Sequence, residues 1–117
     1  MIMGIGARRG VSEKEVIFAV EKSLSENKIN LSEIEMLASS TLKKDEEGLL
    51  SAAQTLGKEI RFLPDEIINE NEPESKSEAS RFGLKGVAEP AALALSKNHQ
   101  LVMKKKVYGR VTIAIAK

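Results

Sequence analysis

The opening stretch, Met1-Ile2-Met3-Gly4-Ile5-Gly6-Ala7-Arg8-Arg9-Gly10-Val11-Ser12-Glu13-Lys14-Glu15, constrains the fold more than any other part of the chain. A short apolar run meets three glycines at a G-x-G-x-x-x-G spacing. Ser12 and Glu15 then stand at the spacing of a capping box. The pattern reads as a buried strand over residues 1–5 that turns directly into a helix over residues 13–25. Val16, Val20 and Leu24 recur every four residues on that helix, and Ile17 widens the same face. Such a unit brings glycine backbone and a helix N-terminus to the carboxyl end of a strand. Helix N-termini offer free N–H groups and a partial positive charge, so the turn is suited to an anion. Arg8 and Arg9 add two fixed cations capable of bidentate pairing.

The rest of the chain repeats the alternation. Residues 34–39 read as a second strand, followed by the polar turn Ser39-Ser40-Thr41. A helix begins at Lys44-Asp45-Glu46-Glu47, with its acids where the dipole favours them. Leu49, Leu50, Ala53 and Leu56 supply its buried face, and Gly57 ends it. A third strand spans 59–63, and Pro64 starts a turn or helical stretch through Asn69. Residues 70–76 read as a polar surface loop, 77–82 as one or two helical turns, and 83–86 as a glycine-rich turn. An alanine-rich helix follows over 87–96, with Pro90 tolerable only in its first turn. Strands at 101–105 and 111–116 form an antiparallel pair joined through Val107-Tyr108-Gly109-Arg110. The expected architecture is a single α/β domain over residues 1–117. It has three layers, α/β/α, around a mixed, largely parallel sheet of about five strands.

Charge and composition exclude several function classes. The 18 basic and 17 acidic residues leave a net charge of +1, which is not the basic surface that nucleic-acid binding draws on. Phe18, Phe62, Phe82 and Tyr108 are too few for a base-stacking platform. No apolar span approaches the ~18 residues of a membrane helix, and no secretory signal is visible at the N-terminus. Cysteine is absent and histidine occurs once, so no disulfide, metal site or cofactor is expected. A cytoplasmic protein is the expectation.

Open α/β sheets bind ligands beyond the carboxyl ends of their strands. Residues 4–10, 39–46 and 83–89 all fall there, and their convergence at one sheet edge is the expectation. Gly4, Gly6, Arg8, Arg9, Gly10, Ser39, Lys43, Gly86 and Lys104 are the candidate binding residues. Glu46 and Glu89, each in the first turn of a helix, are the candidate general acids or bases. Plainer roles stand beside these. The glycines also suit a tight turn, the arginines ordinary surface charge, and the glutamates helix-dipole stabilisation. A dinucleotide reading of the opening loop is weak, because the spacing is not G-x-G-x-x-G and no acid ends the second strand. His99 has no partner at a catalytic spacing. Met1, Met3, Met36 and Met103 read as core packing or chain start.

Taken in order, four segments resemble the CobE/CbiG C-terminal family of cobalamin biosynthesis. Gly4-Ile5-Gly6-Ala7-Arg8-Arg9-Gly10 is similar to that family's G-x-G-C-R-R-G opening, with Ala7 where cysteine is frequent. Lys43-Lys44-Asp45-Glu46-Glu47-Gly48-Leu49 resembles K-x-x-E-x-G-L, and Gly86-Val87-Ala88-Glu89-Pro90-Ala91-Ala92-Leu93 resembles G-V-x-E-x-A-A-L. Lys104 and Val111-Thr112-Ile113-Ala114-Ile115-Ala116 resemble the closing lysine and V-T-x-A-x-A strand. The resemblance implies a role in corrin-ring assembly. The two-part CbiG protein of the anaerobic route opens a lactone on a cobalt-precorrin and releases acetaldehyde. Its substrates carry acetate and propionate carboxylates, chemically suited to Arg8, Arg9, Lys43 and Lys104. No counterpart of the CbiG N-terminal part is expected in these residues, so a separate N-terminal-like subunit is an expected partner. Three functions stay open: a corrin-precursor binding module, the cobalt-precorrin-5A hydrolase itself, and a nucleotide-binding domain. A homo-oligomer also stays open.

Overall fold

The computed structural model describes residues 1–71 and 86–117. In chain order the elements are β1 (Ile2–Ala7), α1 (Glu13–Glu26), β2 (Met36–Ser40), α2 (Glu47–Leu56), β3 (Ile60–Leu63), α3 (Asp65–Glu70), α4 (Ala88–Leu95), β4 (Leu101–Tyr108) and β5 (Val111–Ala116). The strands form one five-stranded sheet in the order β3-β2-β1-β5-β4. β1 pairs in parallel with β2, and β2 with β3, whereas β5 is antiparallel to both β1 and β4. Four strands therefore point one way and β5 alone opposes them. The mixed, largely parallel α/β sheet expected from the sequence is present.

The two faces of the sheet differ in side-chain size, and that difference places the helices. Met3 aligns with Leu37 and Ile115, and Ile5 with Ile113. These large aliphatics pack with Val16, Val20 and Leu24 of α1 and with Leu49 and Ala53 of α2. On the opposite face, Gly4 aligns with Ala38 and Ala114. This row of small residues forms a trough that receives α4. Ala91 and Ala92 of α4 pack there with Ala38, Ala116 and Ile68 of α3. A Cβ on Gly4 would lie only 1.9 Å from the Ala88 carbonyl oxygen. Glycine is thus required at position 4 by close approach, and Gly4 and Gly6 do not share a role.

Local signals acted as read at most boundaries. Ser12 caps α1 in a reciprocal box, its hydroxyl accepting from the Glu15 amide and Glu15 accepting from the Ser12 amide. Gly57 ends α2 at φ 69°, a left-handed conformation that glycine adopts without steric cost. Pro90 is in the first turn of α4. Three expectations differ. The stretch after β2 is a 3-10 turn, Thr41–Lys43, and α2 starts only at Glu47. Leu50 is exposed, whereas Ala52 is buried on α2. β4 runs on to Tyr108, leaving only Gly109 and Arg110 as the hairpin loop. The loop and helical turns expected over 70–86 fall largely outside the described residues. Among the described residues, no helix is long and apolar enough to cross a membrane.

Candidate functional site

The strand order reverses direction at β1. The first two crossovers place β2 and β3 on one side of β1 with α1 and α2 on one face. The chain then returns over the other face, through α3 and α4, to β4 and β5. Ligand sites of open α/β sheets form at such a reversal, outside the strands' carboxyl ends.

A cleft of about 510 Å³ lies there. Gly6 and Thr112, aligned across β1 and β5, line its base. A Cβ on Gly6 would meet nothing closer than 3.8 Å, at Thr112 Cβ. The wall on one side is the N-terminus of α4, with Gly86, Val87 and Ala88. Val87, the residue preceding α4, offers no side-chain cap. Among the described residues, no capping side chain satisfies the free N–H groups of that terminus. Arg8 enters from the loop after β1, Lys43 from the turn after β2, and Lys105 and Val107 from β4. Val107 is 66% exposed and lends the cleft an apolar rim. Among the described residues, no carboxylate pairs with Arg8, Lys43 or Lys105. Lys105 Nζ sits beside Gly86, 3.7 Å from where a Cβ on that glycine would be.

Arg110 also borders the cleft, but its guanidinium is committed. It donates from Nε to Glu15 Oε1 at 2.8 Å and from Nη2 to Glu15 Oε2 at 2.6 Å. A longer bond of 3.3 Å reaches the Gly10 carbonyl. The bidentate pair is the geometry that favours guanidinium–carboxylate recognition. It ties the β4–β5 hairpin to the start of α1. The Arg110 contact, and then the Ser12 amide, hold the Glu15 carboxyl down to about 2. The same pair raises the pKa of Arg110.

A second cleft, of about 550 Å³, lies on the other side of the loop after β1. Arg9, Gly10 and Glu46 line it, together with the acidic Glu13, Asp45 and Glu47. Glu46 Oε2 accepts the Gly10 amide at 3.0 Å, which locks the glycine loop to the start of α2. Gly10 itself is left-handed at φ 82°. Gly48 packs against the same loop: a Cβ there would lie 2.1 Å from the Val11 carbonyl oxygen.

The candidate residues thus separate. Gly6, Arg8, Lys43 and Gly86 come together in the first cleft, and Arg9, Gly10 and Glu46 in the second. Gly4 lies beneath α4. Ser39 is fully buried, its hydroxyl donating to the Ile5 carbonyl at 2.7 Å and linking β2 to β1. Lys104 is exposed on β4 and does not line the cleft; its neighbour Lys105 does. Glu89 is buried, and its Oε2 accepts the Lys105 amide at 2.9 Å. His99 approaches the Leu93 carbonyl through Nδ1 at 2.8 Å, past the end of α4. Lys105, Arg110 and Thr112 were not among the sequence candidates. Counting alternate residues back from the hairpin would have put Thr112, Val107 and Lys105 on one face. Among the described residues, no group of three or more His, Cys, Asp or Glu side chains is placed to hold a metal ion.

Fold and cleft together define a small open-sheet α/β domain with a cationic cleft at the point where its strand order reverses. The chain belongs to the cobalamin synthesis G C-terminus family, whose sequence model matches residues 1–116. It is 35% identical over 118 residues to the cobalt-precorrin-5A hydrolase of Priestia megaterium, covering 99% of this chain and 32% of that protein. The chain therefore spans about a third of that relative's length. Among solved structures it is similar to CobE of the cobalamin biosynthetic pathway. The TM-score is 0.82 at 34% identity, covering 97% of this chain and 86% of CobE. It is also similar to the cobalamin biosynthesis protein chiG from Agrobacterium tumefaciens, with a TM-score of 0.76 at 29% identity, covering 97% of this chain and 94% of the other. The chain is thus a member of a cobalamin-biosynthesis family that includes hydrolase-like relatives.

Proposed function

We propose that residues 1–117 act as a single cytoplasmic binding unit for a polycarboxylate corrin precursor. In this reading the unit assists a lactone opening, with release of acetaldehyde, that a separate N-terminal-like part completes. One observation carries this: Arg8, Lys43 and Lys105 converge with the start of α4, and among the described residues no side chain caps that start and no carboxylate neutralises the cations. Acetate and propionate arms of a corrin precursor match that set. Arg8 can take one carboxylate bidentately, the two lysines take others as point charges, and Val107 offers apolar contact to the ring. The candidate carboxylates support binding over turnover. Glu46 and Glu89 each hold a backbone amide, at Gly10 and Lys105, and among the described residues no nucleophile–base pair lines the cleft.

The test is an absorbance titration of the purified chain with cobalt-precorrin-5A, run beside NADP, with acetaldehyde measured in the same samples. Saturable binding of the precorrin that weakens in Arg8→Ala and at higher salt is expected, without acetaldehyde. Acetaldehyde released by this chain alone would make it the hydrolase. Preference for NADP would make it a nucleotide-binding domain.

A further inference from the structure

We infer that Glu89 is a positioning residue: by holding the Lys105 amide it fixes an irregularity in β4 that delivers the Lys105 ammonium to the cleft. The inference rests on the ligand reading of that cleft. β4 does not keep regular register with β5. Met103 aligns with Ile115 and Lys106 with Ile113, so three steps along β4 match two along β5. A bulge of this kind leaves a residue out of the ladder and its backbone groups in need of other partners. The Lys105 amide finds its partner in Glu89 Oε2 at 2.9 Å.

The arrangement is unusual for a glutamate in the first turn of a helix, where the helix's own N–H groups and dipole normally claim the carboxylate. Glu89 instead reaches from α4 across to an edge strand, and the residue is only 9% exposed. Its bond goes to the backbone of Lys105 and not to the ammonium, which stays unpaired among the described residues. The bulge lets Met103 and Tyr108 both enter the core beneath α1 while Lys105 and Val107 line the cleft. Moving the bulge past Lys105 toward the hairpin would carry Lys105 off that face, because strand side chains alternate. Glu89 therefore links the helix start and the cation that together form one wall of the site.

The experiment uses cobyrinic acid, a cobalt corrin with free carboxylates, as the probe, and compares Glu89→Met, Glu89→Gln, Lys105→Ala and Glu89→Met/Lys105→Ala. Methionine keeps the volume and the helix but removes the acceptor, whereas glutamine keeps an acceptor oxygen. Lys105→Ala should weaken binding about fivefold, the scale of one exposed charge contact. Glu89→Met should weaken it to the same extent, the double variant no further, and Glu89→Gln within about twofold of the parent. Amide exchange at Lys105, read without ligand, should quicken about tenfold in Glu89→Met and little in Glu89→Gln. Losses that multiply in the double variant, or unchanged Lys105 exchange in Glu89→Met, would overturn the inference. Unchanged affinity in Lys105→Ala with quickened exchange in Glu89→Met would overturn the ligand reading of the cleft and leave the bulge contact standing.

Discussion

Alanine substitution at Gly4 and at Gly6 should have very different consequences for stability, although the two glycines belong to one motif. At Gly4 the added Cβ would lie 1.9 Å from the Ala88 carbonyl oxygen, 2.8 Å from the Ala88 carbonyl carbon and 2.9 Å from the Ala92 nitrogen. All three atoms are helix backbone, so no side chain can rotate away. An ordinary carbon–oxygen contact needs about 3.4 Å, which requires α4 to move outward by more than an ångström. Overpacking of this kind costs about 1–3 kcal/mol. The loss of glycine's unfolded-state entropy returns only about 0.5–1 kcal/mol. Because the obstruction is backbone at the centre of the sheet, the upper part of that range applies, and a net loss of about 2 kcal/mol follows. For a chain of this length that corresponds to a Tm lowered by roughly 8 °C. At Gly6 the nearest atoms are side-chain carbons of Thr112 and Val87 at 3.8 and 3.9 Å, ordinary contacts that accept a methyl group. Gly6→Ala should keep its stability within about 0.5 kcal/mol while narrowing the cleft. Urea unfolding of both variants, with thermal melts, decides the matter. A Gly4→Ala protein as stable as the parent, or equal losses at the two positions, would refute the account of how α4 seats on the sheet.

Two further outcomes follow from titration. Tyr108 is the only tyrosine and tryptophan is absent, so phenolate absorbance reports that residue alone. Burial first, and its hydrogen bond to Glu26 second, push it up to about 12 from 10.0. The neutral form is the one the fold favours, so this contribution is complete below pH 10 and fades as the pH rises through 12; a midpoint near 10 would contradict the buried Tyr108–Glu26 contact. Glu15 behaves in the opposite sense, with its pKa lowered from 4.5 to about 2. Its contribution is complete above pH 4.5 and is lost as the pH falls toward 2. The stability gap between the parent and Glu15→Gln should therefore be wide at about pH 6 and reduced to roughly a quarter of that at about pH 2.5; an equal gap at both would refute the Arg110 pairing.

Features encoded locally were legible in the sequence. The capping box at Ser12 and Glu15 needs only four adjacent residues, and Gly57 needs only its own left-handed backbone. The α/β class followed from strands alternating with helices. The role of Gly4 was not legible, because it depends on a helix more than eighty residues away seating over a row of alanines from two other strands. Ser39 was misleading for a similar reason: a serine ending a strand looks available, yet strand pairing buries it against the Ile5 carbonyl. Arg8 directly follows β1 and Lys43 ends the turn after β2, so position along the chain was enough to bring both to the cleft at the strands' carboxyl ends.

The choice between Lys104 and Lys105 shows where sequence reading meets its physical limit. The run Lys104-Lys105-Lys106 offers three equal cations, and a regular period of two would give the outer pair one face and the middle lysine the other. The bulge breaks that period between Met103 and Lys106, so counting from Met103 and counting from Tyr108 give opposite faces for every lysine. Lys106 turns to α1 and pairs with Glu26 at 2.9 Å, whereas Lys105 turns to the cleft. What resolves the ambiguity is a carboxylate on α4, Glu89, whose sequence position suggested chemistry or dipole stabilisation and whose contact is with backbone. Where that contact fixes the register, the glutamate that the sequence offers as a candidate acid or base determines which lysine lines the cleft.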